Sequence, residues 1–354
     1  MNKTVFLTAL CSVTLVSSAA LAAPALTDMQ NLGRHLYVDK DLSLKSTQSC
    51  ATCHHYNYGF ADPTNSRDPY FTVVSLGDDG VSKGGRNAPT SAYAGYSPIL
   101  SLDADGAWQG GMFWDGRKTG ETLGDPLAEQ AQGPPLNPVE MNMGSIADVV
   151  DRVEAAPYAP LFLKVFGKNA FDNDELAWNN IARAIADYER SHEITAFTSR
   201  YDKGGLTAQE GRGLDLVKAN CSKCHATEAD FGAPAALFTT YRYENIGVPV
   251  NDLVLNDEAS AYTYPDNGLG GFLNNPDENG KFKIPTLRNV ALTAPYSHNG
   301  YFPTLTSIVS FHNSREGWPE PEVAENLNIV DVGNMGLSDQ DIEDIVVFLH
   351  ALTD

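Results

Sequence analysis

A mainly α chain built in two similar halves, with long loops between helices, is the fold class that three observations predict. A five-residue pattern occurs twice, as Cys50-Ala51-Thr52-Cys53-His54 and as Cys221-Ser222-Lys223-Cys224-His225. Amphipathic helical segments stand before and well after each copy. The stretches that follow each copy are rich in Gly, Pro, Asn and Asp and carry few long periodic runs.

The repeated pattern is C-x-x-C-H, the attachment sequence of a c-type haem. Two thiols three positions apart can each add to a vinyl group of one porphyrin. The adjoining His54 or His225 then falls beneath the iron as its proximal ligand. A thioredoxin-like C-x-x-C would not need a histidine after both pairs, and zinc sites made from two such pairs usually lie closer together. The five cysteines divide accordingly: Cys11 near the start and four in the two motifs, with no pair left for a structural disulfide.

The first helix is expected over 26–39, with Met29, Leu32 and Leu36 on one face. The first motif follows, and then a loop-dominated region over 56–144, long enough to suggest function. Ser145 is a plausible N-cap before Ile146, Val149, Val150 and Val153. A helix over 159–166 comes next. A longer one begins at Asp174, with Leu176, Ile181, Ile185 and Tyr188 on its inner stripe. Gly204-Gly205 reads as a hinge before the second unit. Thr207 to Glu210 is a capping box opening the helix that leads into Cys221. After a second Gly/Pro/Asn-rich region to about 285, a short helix is expected over 304–311. A final one, capped from Ser338, runs through Leu352. The halves repeat one plan of helix, motif, long loops and closing helices. They read as two cytochrome-c-like domains, 24–203 and 204–354, each with one covalently bound haem.

Length and composition agree with this plan. The 354 residues suffice for two domains, and 42% hydrophobic with 19% charged content favours buried cores over disorder. Lys3, the apolar run over 5–16 and Ala20-Leu21-Ala22 read as a signal peptide ending near Ala23, so export to the periplasm is expected. No later stretch is apolar enough to span a bilayer. The formal net charge of −21 excludes general affinity for nucleic acid or anionic lipid and favours a partner with a basic face.

Further motifs lie between and after the haem patterns. They are Arg86-Asn87-Ala88-Pro89-Thr90, Phe113-Trp114-Asp115-Gly116-Arg117, and Gln130 to Pro134 followed by Val139-Glu140-Met141. Beyond the second pattern come Ile284 to Val290 and Pro295-Tyr296-Ser297-His298-Asn299-Gly300. In number, order and placement these resemble the bacterial di-haem cytochrome c peroxidase/MauG superfamily, over nearly all of residues 32–352. The resemblance implies that the haem on His54 binds peroxide and that the haem on His225 relays electrons. It implies that Trp114 lies between the two haems, a role compatible with packing against porphyrin. It implies a distal pocket containing Gln130, Pro134 and Glu140. Glu140 would take a proton from the near peroxide oxygen and return it to the leaving one. It also implies a calcium ion held by Asn87, Thr293 and Pro295 through side-chain and main-chain oxygens plus water.

Three departures from the family pattern matter. Relatives that need reductive activation carry a distal histidine in the loop before Arg86-Asn87, and here no histidine occurs between His55 and His192. His55 follows the proximal His54 directly and is poorly placed for the opposite face, so a high-spin first haem is expected. His312 falls where relatives have an axial methionine or tyrosine, so the second haem is read as His225/His312-ligated, with Met335 as the competing ligand. Methionine raises haem potential, and a bis-histidine centre would better stabilise oxidised iron. Ala219 and Asn220 stand where protein-oxidising members carry a surface tryptophan, leaving Trp178, Trp318 and the tyrosines as other exit routes.

The leading expectation is a periplasmic di-haem peroxidase that reduces hydrogen peroxide with electrons from a small cytochrome c or cupredoxin. The second is a MauG-like enzyme that uses peroxide to oxidise side chains of a partner protein. A plain di-haem electron carrier is disfavoured by Glu140 and the open iron. The sequence leaves a homodimer open.

Overall fold

The computed structural model describes residues 24–354; the expected signal peptide lies outside the described residues. Among the described residues the chain forms twelve α-helices. They are α1 (Asp28–Val38), α2 (Cys50–Cys53), α3 (Pro63–Arg67), α4 (Pro126–Ala131), α5 (Ile146–Ala155), α6 (Ala159–Phe166), α7 (Asp174–Glu189), α8 (Ala208–Asn220), α9 (Asp252–Leu255), α10 (Gly268–Leu273), α11 (Leu305–Asn313) and α12 (Asp339–His350). The only strands among them are two short antiparallel pairs, β1 (Ser101–Leu102) with β2 (Trp108–Gln109) and β3 (Tyr243–Glu244) with β4 (Phe282–Lys283). The chain is therefore mainly helical, with long irregular connections.

The helix boundaries follow from their caps. Thr27 and Gln30 close a capping box on α1, Thr207 and Glu210 do so on α8, and Ser338 with Asp341 on α12. Each satisfies two backbone donors that a helix start leaves orphaned. Ser145 caps α5 as its sequence indicates. Leu176 departs from expectation. It is 54% exposed, whereas Trp178, Ile181, Ile185 and Tyr188 of α7 are buried. Leu176 lies five residues before Ile181, about 140° around the helix from it, so it cannot share that stripe. Gly204 and Gly205, expected as a hinge, sit in a hydrogen-bonded turn in which their amides donate to Tyr201 and Arg200 carbonyls at 3.1 and 3.0 Å.

Both halves use the same crossing. In the first, α1 packs on α7 so closely that a Cβ on Gly33 would come within 1.9 Å of the Ala184 carbonyl oxygen. In the second, α8 packs on α12 and a Cβ on Gly213 would lie 2.1 Å from the Asp344 carbonyl oxygen. Only glycine allows backbones to meet at that distance. Around each crossing a hydrophobic core condenses, one including Leu32, Leu36, Phe162, Trp178 and Ile181, the other including Val217, Phe238, Phe311, Phe348 and Leu352.

The halves are not sequentially sealed from each other. Ala233, Leu237 and Tyr241, which follow the second motif, pack into the first core. Arg288, whose side chain is fully buried, pairs with Asp202 at 2.8 Å and donates to the Ala236 carbonyl at 2.8 Å. A buried pair of this kind holds register rather than adding large net stability. No described helix is long and apolar enough to cross a membrane.

Candidate functional site

Two large cavities open between the helices, each with one C-x-x-C-H motif on its wall. Their empty volumes, counting space open to solvent, are close to equal at about 1810 Å3 for the first and 1740 Å3 for the second.

In the first cavity Cys50 and Cys53 sit on the single turn of α2, and His54 ends it. The His54 Nδ1 is 3.0 Å from the Phe60 carbonyl oxygen. In the second, Cys221 follows the last turn of α8, and the His225 Nδ1 lies 2.9 Å from the Phe238 carbonyl oxygen. His312, on α11, repeats the arrangement with its Nδ1 2.8 Å from the Ile308 carbonyl oxygen. A carbonyl can only accept, so each Nδ1 carries the proton and each Nε2 keeps its lone pair. This is the tautomer that a metal-ligating imidazole requires. Burial reinforces it by pushing all three imidazoles below their ordinary range, His225 to about 4, with His312 itself lowering His225 further. His225 and His312 both line the second cavity. Met335 lines the same cavity from a loop.

The thiols suit covalent attachment better than ion binding. Burial raises all four, Cys53 and Cys224 to about 12 and Cys221 to about 11. The two cysteine pairs line different cavities, and no three of His, Cys, Asp and Glu cluster around an ion position among the described residues. A tetrahedral zinc site therefore does not fit. A macrocycle held by two thiols and an adjoining imidazole per cavity does, because each wall offers apolar side chains and at least one correctly protonated histidine.

Opposite the first motif, the loops after β2 and the short helix α4 bring Gln130, Pro134 and Glu140 to the first cavity. The Asn137 side-chain amide donates to Glu140 Oε1 at 2.6 Å. Burial raises the Glu140 carboxyl above its ordinary value, opposed by the Asn137 hydrogen bond and by the charge of Arg117. Arg117 itself lies over the Phe113 ring and pairs with Asp115 at 2.8 Å. His55 is absent from the cavity wall. Its ring stacks on Tyr56 and its Nδ1 accepts from the Asn57 amide at 3.2 Å.

Trp114 lines both cavities. Its indole N–H donates to the Asn87 carbonyl at 2.9 Å, and its own carbonyl accepts from the Lys283 amide at 2.8 Å. Residues from both halves thus fix the ring between the motifs. Asn87, Thr293 and Pro295 come together on the second cavity's wall. The Asn87 amide nitrogen is turned to the Val73 carbonyl at 3.0 Å, which leaves its Oδ1 as the ligand-type atom. Trp178 is buried in the first core, while Trp318 is half-buried against Phe302 and Phe311. Ala219 is exposed and Asn220 lines the second cavity.

Several contacts at the site carry no signal in sequence. Arg86 bridges Asp115 at 2.6 Å and Asp266 at 2.7 Å, between the cavities. Arg86 and Asp115 stand in the quoted motifs, but their pairing joins residues far apart in the chain. Lys283 is half-buried, donates to the Gly111 carbonyl at 2.7 Å, and its ammonium is pushed down to about 7 by desolvation, with Asp115 opposing. His298 stacks on Phe282 at 3.5 Å, with its Nε2 sealed and unpartnered among the described residues.

A family model described as di-haem cytochrome c peroxidase matches residues 27–210. The chain is 38% identical to the methylamine utilization protein MauG of Paracoccus denitrificans, across 95% of this chain and 91% of that protein. It is 30% identical to the cytochrome c551 peroxidase of Pseudomonas aeruginosa, across 93% of this chain and 80% of that one. The fold is similar to that of the di-haem peroxidase BthA from Burkholderia thailandensis, with a TM-score of 0.79, 29% identity, and coverage of 94% of this chain and 87% of that one. Two matched cavities, each with a histidine of the right tautomer, thus meet a sequence likeness that runs through nearly the whole chain: it belongs to the di-haem cytochrome c peroxidase family, and is a haem peroxidase-type oxidoreductase with two haems.

Proposed function

We propose that this protein is an exported, periplasmic peroxidase that reduces hydrogen peroxide to water with electrons from a small cytochrome c or cupredoxin. One observation carries the reading. The first cavity sets His54 on one wall against Glu140, Gln130 and Pro134, and no second histidine lines it. When bound, the haem iron supplies the coordination position for peroxide and the electrons that cleave its O–O bond. The remaining chemistry falls to the chain. Glu140, held by Asn137, would accept a proton from one peroxide oxygen and return it to the other, so that two protons and two electrons per peroxide yield two waters. Gln130 orients the incoming ligand or a water. Trp114 is the conduit between cavities, and its hydrogen bond to the Asn87 carbonyl fixes its plane.

Further parts of the proposal are covalent attachment through Cys50/Cys53 and Cys221/Cys224, and division into domains at 203/204. The reading also assigns Asn87, Thr293 and Pro295 to a calcium ion, and residues 1–23 to a signal peptide. His312 rather than Met335 serves as the sixth ligand, because its Nε2 is freed by the Ile308 carbonyl and it senses His225.

A second reading is favoured by that same His312 and by the likeness to MauG: peroxide-driven oxidation of a partner protein's side chains. Mixing the diferric protein with peroxide, with and without reduced cytochrome c, separates the two. Catalytic oxidation of the cytochrome supports the first reading. A long-lived oxidised species without donor turnover supports the second and overturns the first.

A further inference from the structure

We propose that Glu189 is a redox-linked proton group of the first cavity. In this role its buried carboxyl, with Oε2 unpartnered among the described residues, holds a proton while the haem bound there is reduced and releases it when that haem is oxidised. The inference rests on the reading that a haem occupies this cavity next to His54.

Glu189 is the last residue of α7, is only 4% exposed, and lines the first cavity one turn beyond Ile185. Its Oε2 is sealed from solvent and has no hydrogen-bond partner among the described residues. A buried carboxylate in that condition costs several kcal/mol, on the order of the effective penalty for one desolvated ion. The group therefore resists ionisation unless positive charge appears nearby.

The neighbours do not supply that charge at rest. Arg190, next on the same segment, is committed to Asp125 at the start of α4, with contacts of 2.8 and 2.9 Å. From α1, the Tyr37 hydroxyl is engaged with Ser91 Oγ at 2.8 Å and the His54 carbonyl at 3.2 Å. The remaining titratable groups that feel Glu189 are Tyr188 of its own helix and the Cys50 thiol of α2, both without positive charge. Burial pushes Glu189 up to about 8, with Arg190 lowering it and Asp125 raising it. Such a group is poised so that one added positive charge in the cavity tips it to the anion.

Glu140, in the same cavity, has Asn137 and Arg117 to stabilise its anion. The two carboxyls thus divide their tasks. Glu140 passes protons to substrate, and Glu189 balances the charge of the electron. In the reductive direction one electron from the donor and one proton from solvent enter together. The only bond formed is O–H on Glu189. Oxidation breaks it and returns the proton.

The test is a spectroelectrochemical titration of the full-length protein with both haems between pH 6 and 10. The first haem's potential should fall with rising pH, approaching about 59 mV per unit where Glu189 titrates, the value for one proton per electron. Glu189→Gln should flatten that dependence and leave the second haem's potential unchanged. Glu140→Gln should keep the slope. Redox-difference infrared spectra of the unaltered protein should show a protonated-carboxyl band that grows on reduction. An unchanged slope in Glu189→Gln, or loss of the slope in Glu140→Gln instead, overturns the inference. If Glu189→Gln does not assemble, absence of the carboxyl band in the unaltered protein overturns it alone. A mass showing no haem at Cys50/Cys53 would instead defeat the reading of the cavity.

Discussion

Replacing Asn137 with alanine should make the reaction with peroxide fail at higher pH than in the unaltered protein. The amide donates to Glu140 Oε1 at 2.6 Å, a short hydrogen bond to a half-buried carboxylate. Hydrogen bonds to charged groups are worth about 1.5–3 kcal/mol. At about 1.4 kcal/mol per pKa unit, losing this one lifts Glu140 by roughly 1–2 units. Burial already raises this carboxyl, and without the amide the charge of Arg117 is left to oppose it. The sign follows directly. The first step needs the carboxylate, so protonation disables it, and a higher pKa moves the acid limb of the profile upward. Well below the new pKa the rate constant should fall by about 10–100-fold, and well above it the two proteins should converge. Stopped-flow mixing of the diferric protein with peroxide between pH 5 and 9 reads this. An acid limb that stays put or moves downward in Asn137→Ala would refute both the hydrogen bond's role and Glu140 as the base.

Other outcomes follow from the same geometry. Glu140→Gln should retain both haems and slow peroxide cleavage by about 10²–10⁴-fold on the alkaline side of the Glu140 pKa, with the difference shrinking below it, measured by the same mixing. His312→Gly should convert the low-spin second haem toward high spin in the electron paramagnetic resonance spectrum, while replacing Met335 should leave that signal unchanged. Changing Cys221 and Cys224 to alanine should remove one haem by mass and preserve the absorption of the other. Gly33→Ala should lower the thermal midpoint measurably, since its methyl meets the Ala184 carbonyl at 1.9 Å and overpacking costs about 1–3 kcal/mol.

What could be read from the sequence was local. Capping boxes and apolar periodicity placed α1, α5, α8 and α12 because their causes lie within four or five residues. The haem motifs were legible because vinyl spacing dictates C-x-x-C. Leu176 was misplaced by treating five-residue spacing as one stripe. The two-residue pairs β1–β2 and β3–β4 were missed because so short a strand has no alternation to detect. At the site, Glu140 stood in a readable motif, yet its partner Asn137 became visible only through the turn that brings the side chains together. Lys283 reads as a surface charge and is half-buried, with its ammonium on the Gly111 carbonyl. Glu189 reads as a helix end and faces a cavity. Arg86 with Asp266 and Arg288 with Asp202 join residues about 180 and 90 positions apart, which no local pattern encodes.

The glycine crossings bear on how the protein is made. Gly33 meets α7 about 150 residues downstream, and Gly213 meets α12 about 130 residues downstream. These contacts close the walls behind each cysteine pair, and contacts of such separation form late, after their loop-closure entropy is met. A chain still being made therefore passes through a stage in which α1 or α8 and its motif are present while the closing helix is not. On the covalent attachment proposed above, that interval is when attachment machinery would have access to the thiols. Once the glycine lets the two backbones touch, Cys50 packs against the completed first core. Chaperoning of the open state, and the timing of α7 and α12 docking, would then govern how much of the protein carries both cofactors.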